Sequence, residues 1–307
     1  MQSPDLEISS PPTHTLEPQQ LASGKNGPQI LPSNSEKLDH EDNENNSGLL
    51  KSKEMFDFSD LGNIRVWRNA SAEFWAAGVL TFMVGASVAL TSNASYPFPS
   101  IFIGFAHLPI IGLLIVAIGP ISGGHLNPIV TMTAVFTRVL SFPCGLAYIA
   151  CQTVGAALGG ALLRSLCTQK TIDTTSLGAC VFENTMFSVG SAFIGESVIA
   201  FTIAFVVHNV ALDPKQSKEF SLSVTAFVVG ATFAMVVWLS GGINPGWPGA
   251  GTNPAKCFGL SVGSGNFSHH WIAWVGPLFG TLTYAIAYSL MSPFHNYPKK
   301  QRKDSLR

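Results

Sequence analysis

Apolar residues gather in six stretches, each close to the roughly 20 residues that a helix needs to cross a bilayer. They run over about Ser71–Thr91, Ile101–Gly119, Phe142–Leu163, Val189–Val210, Ser221–Ser240 and Trp271–Met291. Two shorter apolar segments remain, opening at Asn127-Pro128 and Asn253-Pro254, each after a Gly-rich run. Too short to span, they read as re-entrant half-helices, which persist at membrane depth only where they line a cavity or lie buried in protein. The pattern before the first span is different. Met1 to Leu61 is rich in Asp, Glu, Ser, Pro and Asn, and reads as a disordered acidic arm that buries too little apolar surface to offset its ordering entropy. It lacks a short apolar run behind a basic start, so it does not read as a signal peptide.

The two halves of the chain repeat. Glu73 in the first span matches Glu196 in the fourth, Asn127-Pro128 matches Asn253-Pro254, and Gln152-Thr-Val-Gly155 matches Pro277-Leu-Phe-Gly280. Three spans per half put the second copy into the membrane upside down. The expected architecture is therefore all-α, with six transmembrane helices and two half-helices in an inverted repeat, whose interface is a natural substrate path. The membrane domain is expected over 62–295, with repeats at about 71–164 and 189–291, followed by a basic tail over 296–307.

Composition agrees with this pattern. The chain is 47% hydrophobic and only 11% charged, where a soluble domain carries about a quarter charged residues. Basic residues orient it. Arg65, Arg68, Arg138, Lys215, Lys218 and the cluster Lys299, Lys300, Arg302 and Lys303 fall on one side, while Arg164 and Lys170 are exceptions on the other. The richer side is expected to be cytoplasmic and to hold both termini. Asn93-Ala-Ser and Asn266-Phe-Ser then lie outside, as candidate glycosylation sequons. The five cysteines show no metal spacing, and Cys167 and Cys180 share a loop in which they would be able to pair. No metal, cofactor or nucleic-acid partner is expected, and no nucleophile–base pair suggests an enzyme.

Ser122-Gly-Gly-His125-Leu-Asn127-Pro128, together with Glu73, Glu196, Gln152 and Asn253-Pro254-Ala255, resembles the major intrinsic protein family, the aquaporins and aquaglyceroporins, over about Ser71 to Met291. The altered first motif, Asn127-Pro128-Ile129, and the Cys257 after the second resemble the X intrinsic proteins of fungi and plants, which usually carry Arg where this chain has Lys256. The resemblance implies an aquaporin-like fold, a homotetramer with one pore per subunit, and a passive channel for water, glycerol, urea or hydrogen peroxide, with a plasma-membrane location. It implies pore-centre roles for Asn127 and Asn253, with Ile129 packing behind the pore. Family spacing puts a selectivity filter at His107, Gly241, Ala250 and Lys256, and Glu73, Glu196, His125 and Gln152 resemble the braces of the pore loops. The alternatives are a proton-coupled secondary transporter, which would need an acid titrating in the path, and a nutrient sensor signalling through the acidic arm. A further Asn-Pro pair, Asn244-Pro245, runs into Gly-Trp-Pro-Gly and reads as loop rather than helix start.

Overall fold

A computed structural model of the chain describes residues 49–182, 188–243, 247 and 249–291. The helices that build the bundle are α1 (Ile64–Asn93), α2 (Pro99–Ser122), α3 (Pro128–Phe136), α4 (Phe142–Leu166), α5 (Val189–Val207), α6 (Leu222–Ser240), α7 (Pro254–Ser264) and α8 (Ile272–Leu290). Five of them, with α5 counted through Leu212, are long and apolar enough to cross a membrane. The sixth expected span is the 19-residue α8. The half-helices α3 and α7 have 9 and 11 residues. There are no strands among the described residues.

The two halves pack alike. α1 lies against α4 as α5 lies against α8, and the half-helices are pressed into the bundle, α3 on α8 and α4, α7 on α4. Glycine permits the closest approaches. A side chain at Gly155 would overlap the Phe74 carbonyl, and one at Gly280 would overlap that of Ser197, so the matched glycines of the two repeats serve matched helix crossings. Large apolar side chains such as Trp75, Leu113, Val154, Ile194, Phe227 and Ile286 point outward from the bundle and are exposed. That is the surface expected of a bundle solvated by lipid.

Caps fix where elements start. Asn63 accepts from the Arg65 N–H at the head of α1, Ser188 from the Ser191 N–H at α5 and Ser221 from the Val224 N–H at α6. After α5 the helix widens into a π-turn over His208–Leu212, ending at Asp213. The stretch Leu49 to Leu61, expected to belong to the disordered arm, is folded here as a short helix (Ser52–Met55) and a 3-10 turn (Phe58–Gly62). Its anchors are scattered single residues, so its composition concealed them: Leu49 packs on the core, Met55 is buried, Ser141 Oγ donates to Asp60 at 2.6 Å, and Phe56 and Phe58 pack on Phe142. Residues 1–48 and the basic tail lie outside the described residues.

Candidate functional site

The tips of the half-helices meet at the centre of the bundle. Each has an extended Asn as cap, with φ −157° at Asn127 and −156° at Asn253, and Pro as the first helical residue. Proline suits that place because its missing N–H would have no helical partner there. Asn127 Oδ1 accepts from the Ile129 N–H and Asn253 Oδ1 from the Lys256 N–H. The other end of each side chain crosses to the opposite repeat. Asn127 Nδ2 donates to the Thr252 carbonyl at 2.8 Å, and Asn253 Nδ2 donates to the Leu126 carbonyl at 2.9 Å. An Asn amide has two N–H donors, so each keeps one beyond this clasp, beside the unpaired N–H groups and positive dipole end of its half-helix.

The carbonyls that accept these bonds are aimed by strained backbone. Leu126 and Thr252, at equivalent positions before each Asn, have φ of 60° and 59°. Non-glycine residues hold such angles only where their surroundings impose them. Here two buried carboxylates do so. Glu73 accepts from the backbone N–H of His125 (2.9 Å) and Leu126 (2.6 Å), from Ser122 Oγ (2.6 Å) and from Gln152 Nε2 (2.9 Å). Glu196 accepts from the Gly251 N–H at 2.7 Å. His125 Nδ1 lies 3.1 Å from Thr131 Oγ1, which Gln152 Nε2 also reaches, and Tyr148 donates to the Ser122 carbonyl.

One cavity lies at this centre and a second lies beside it toward the outer end. The outer one, about 490 Å³, opens at the end closed by the loop after α4 and is lined by α1, α2, that loop, Val237, Ala250 and Lys256. The inner one offers about 20 Å³, close to the least a single water needs. It is lined by Asn127, Asn253, Leu126, Thr252 and His125 and by apolar residues of α2, α6 and the π-turn. Among the described residues His107 and Lys256 alone line both cavities, so they stand at the neck between them. His107 Nδ1 is 2.7 Å from the Ile103 carbonyl. A carbonyl can only accept, so Nδ1 carries a proton, and in the neutral ring Nε2 is left as an acceptor. That Nε2 is buried without a hydrogen-bond partner. The neck therefore sets an imidazole acceptor beside an ammonium donor.

Of the four residues placed by family spacing, His107, Ala250 and Lys256 share the outer cavity, and Gly241 lines neither cavity. Gly241 closes the end of α6, where a Cβ would press on Ser100 at 2.7 Å. Helix α6 reaches the path one and two turns earlier, through Val237 and Phe233. Counting back from Asn253 passes through a loop, and a count along a loop does not fix helical phase. Ile129 and Ala255 are fully buried and line neither cavity. Asn93 accepts from Thr171 Oγ1 and Asn266 donates to Ser176 Oγ, so both sit at the outer end. Asn244-Pro245 lies outside the described residues.

The cysteine pairing differs from the one left open by the sequence. Cys180 is bonded to Cys257, and Cys167 is free, with burial raising its thiol pKa. The disulfide ties the outer loop to the residue after Lys256, and a Cβ on Gly251 would strike both sulfurs, at 2.6 and 2.9 Å. The two cysteines are 77 residues apart, so a shared loop was no guide to the pair.

A family model described as Major intrinsic protein matches residues 60–288. The chain is 30% identical over 222 residues to aquaporin-4 of Bos taurus, a match covering 70% of this chain and 64% of that protein. It is 32% identical over 216 residues to probable aquaporin TIP2-1 of Oryza sativa subsp. japonica, covering 68% of this chain and 81% of that one. The chain thus spans a little under two thirds of the aquaporin-4 length. Among solved structures, the aquaglyceroporin from Plasmodium falciparum superposes with a TM-score of 0.64 at 17% identity, over 75% of this chain and 99% of that one. At that identity the likeness concerns the fold.

Proposed function

This chain belongs to the major intrinsic protein family, and we propose that it is a passive channel for water and small uncharged solutes such as glycerol, urea or hydrogen peroxide. The observation that carries this reading is the narrow cavity at the two opposed Asn-capped helix tips, which meets a wider outer cavity at His107 and Lys256. Two positive dipole ends facing one another orient a passing oxygen and repel cations, protons included. The neck adds a second check. A solute there meets a hydrogen-bond donor at Lys256 and an acceptor at His107 Nε2, so a hydroxyl group, which can do both, fits it. Lysine in place of a planar arginine gives a compact, flexible charge rather than a fixed fork, and the neighbouring Ala250 is small. Both favour small polar solutes over a path restricted to water. A proton-coupled transporter would need a free acid in the path, whereas Glu73 and Glu196 are both engaged in holding the pore loops.

The proposal extends to the setting. Basic residues concentrate at the inner end, so that end and both termini are assigned to the cytoplasm; Asn93 and Asn266 then face outside and are exposed to glycosylation. A plasma-membrane homotetramer is the assembly we propose, and the pair of Ile129 and Cys257 supports an X intrinsic protein subgroup. Stopped-flow light scattering on proteoliposomes tests the function, comparing water with glycerol. Flux no greater than that of empty vesicles would refute the channel. If Lys256→Arg changes neither permeability nor the solute ratio, Lys256 is not at the constriction.

A further inference from the structure

Among the described residues that line the outer cavity, Lys256 alone carries an amine. The other nucleophilic side chains on that wall are hydroxyls, such as those of Ser95 and Tyr96, and the sulfur of Cys180 is already bonded to Cys257. Lys256 sits buried in the first turn of α7, its backbone N–H held by Asn253 Oδ1. No described residue accepts a hydrogen bond from its side chain. His107, on α2 at the same neck, is a second unanswered group. Its Nδ1 is turned to the Ile103 carbonyl, and its buried Nε2 has no hydrogen-bond partner among the described residues. In the neutral ring that nitrogen accepts.

These two groups select a solute by its chemistry. A carboxylate brings acceptors for Lys256 but no hydrogen for His107. A polyol satisfies both groups through its hydroxyls and leaves again. A small aldehyde with a neighbouring hydroxyl satisfies both in the same way, and it also presents an electrophilic carbon to the amine. Lysine amines condense with carbonyl compounds to Schiff bases, a reaction closed to the guanidinium of an arginine under the same conditions. The cavities set the direction of approach. About 490 Å³ is open on the outer side of the neck, against about 20 Å³ on the inner side, which is close to the least a single water needs. A two- or three-carbon aldehyde entering from outside therefore stops at Lys256.

We propose that the neck is a covalent capture site for small hydroxyaldehydes, in which Lys256 forms the bond and His107 accepts the hydrogen of the neighbouring hydroxyl. The unprotonated amine adds its lone pair to the carbonyl carbon, and the carbonyl oxygen takes the proton that leaves nitrogen. The resulting carbinolamine loses its hydroxyl together with the remaining N–H hydrogen as water, leaving a C=N bond. Nothing is oxidised or reduced, and water reverses the step. Holding the hydroxyl beside the amine raises the effective concentration of the carbonyl there, so Lys256 reacts ahead of lysines on the surface. The adduct stands in the neck and closes it. This consequence rests on the channel reading, and the test keeps the two apart.

Proteoliposomes of the full chain are treated with glycolaldehyde, or with acetaldehyde, which lacks the hydroxyl. Cyanoborohydride then supplies the hydride that traps the imine as a secondary amine. Peptide mass spectrometry compares labelling of Lys256 with that of the exposed Lys170 in the same sample, and stopped-flow scattering reads water and glycerol flux before and after. Glycolaldehyde is expected to label Lys256 severalfold ahead of Lys170, and acetaldehyde to lose most of that lead, as should glycolaldehyde on His107→Leu. The acetaldehyde comparison reads the same point on the wild type if that variant folds poorly. Treatment should lower wild-type flux severalfold and leave Lys256→Arg at its own untreated level. Labelling of Lys256 no faster than Lys170 overturns the capture site, as does an equal lead with acetaldehyde or an equal loss of flux in Lys256→Arg. A lead at Lys256 in vesicles whose untreated flux matches empty ones upholds capture and refutes the channel; normal flux without that lead refutes capture alone.

Discussion

Replacing Glu73 by Gln tests the bracing of the first pore loop directly. Four donors converge on the two carboxylate oxygens: Ser122 Oγ and the His125 N–H on one, the Leu126 N–H and Gln152 Nε2 on the other. A glutamine offers one oxygen and one NH2. Ser122 is able to turn its hydroxyl and accept from the new amide, but a backbone N–H cannot. Whichever way the amide sits, either His125 or Leu126 loses its acceptor in a fully buried site. An orphaned buried amide costs about 1–3 kcal/mol, and the bonds that remain fall from charge-assisted to neutral strength. At roughly 2–4 °C per kcal/mol for a chain of this size, the lost amide alone lowers the midpoint of thermal unfolding by about 2–12 °C. Helical circular dichroism in detergent reads that shift, and stopped-flow measurement of the surviving folded fraction reads selectivity. The expected result is a less stable protein with its water-to-glycerol ratio retained. Unchanged stability together with altered proton flux would refute the brace and give Glu73 a transport role instead.

Other expectations follow from particular contacts. Cys257→Ser, or reduction of the wild type, should lower stability by about 2–4 kcal/mol and loosen the loop at Gly251, read as faster proteolysis of 167–182 under reducing conditions. Gly155→Val forces a side chain onto the Phe74 carbonyl and should cost at least about 1–3 kcal/mol by overpacking, measurable as a loss of folded yield, while Val154→Leu on the exposed neighbouring position should have little effect. Burial lowers the pKa of His270, which accepts from Trp274 Nε1. The folded state therefore takes up this proton less readily than the unfolded chain, and stability falls as pH drops below the ordinary histidine value; comparing unfolding of wild type and His270→Gln at about pH 7 and about pH 5 isolates the effect.

The elements were legible because lipid imposes a simple code. A span must be apolar over its length, and a helix that starts inside the membrane must announce itself with a cap and a proline, as Asn127-Pro128 and Asn253-Pro254 do. Pairing across the fold carries no such local mark. The bonds of Asn127 to Thr252 and Asn253 to Leu126 join residues 125 and 127 apart, and nothing in either loop names its partner. The Cys180–Cys257 bond was hidden for the same reason, and a count through the loop before Asn253 does not say whether Gly241 lines a cavity, which it does not.

The crossed asparagines have a consequence for how the protein is made. Leu126 offers its carbonyl, and Asn127 its amide, to groups that leave the ribosome more than a hundred residues later. When the first three spans have entered the membrane, their re-entrant loop still has two polar groups waiting at the centre of the bilayer. The second half supplies both partners and has its own two needs met in return. Neither half can complete its own floor, so the centre of the pore closes only when the two repeats meet.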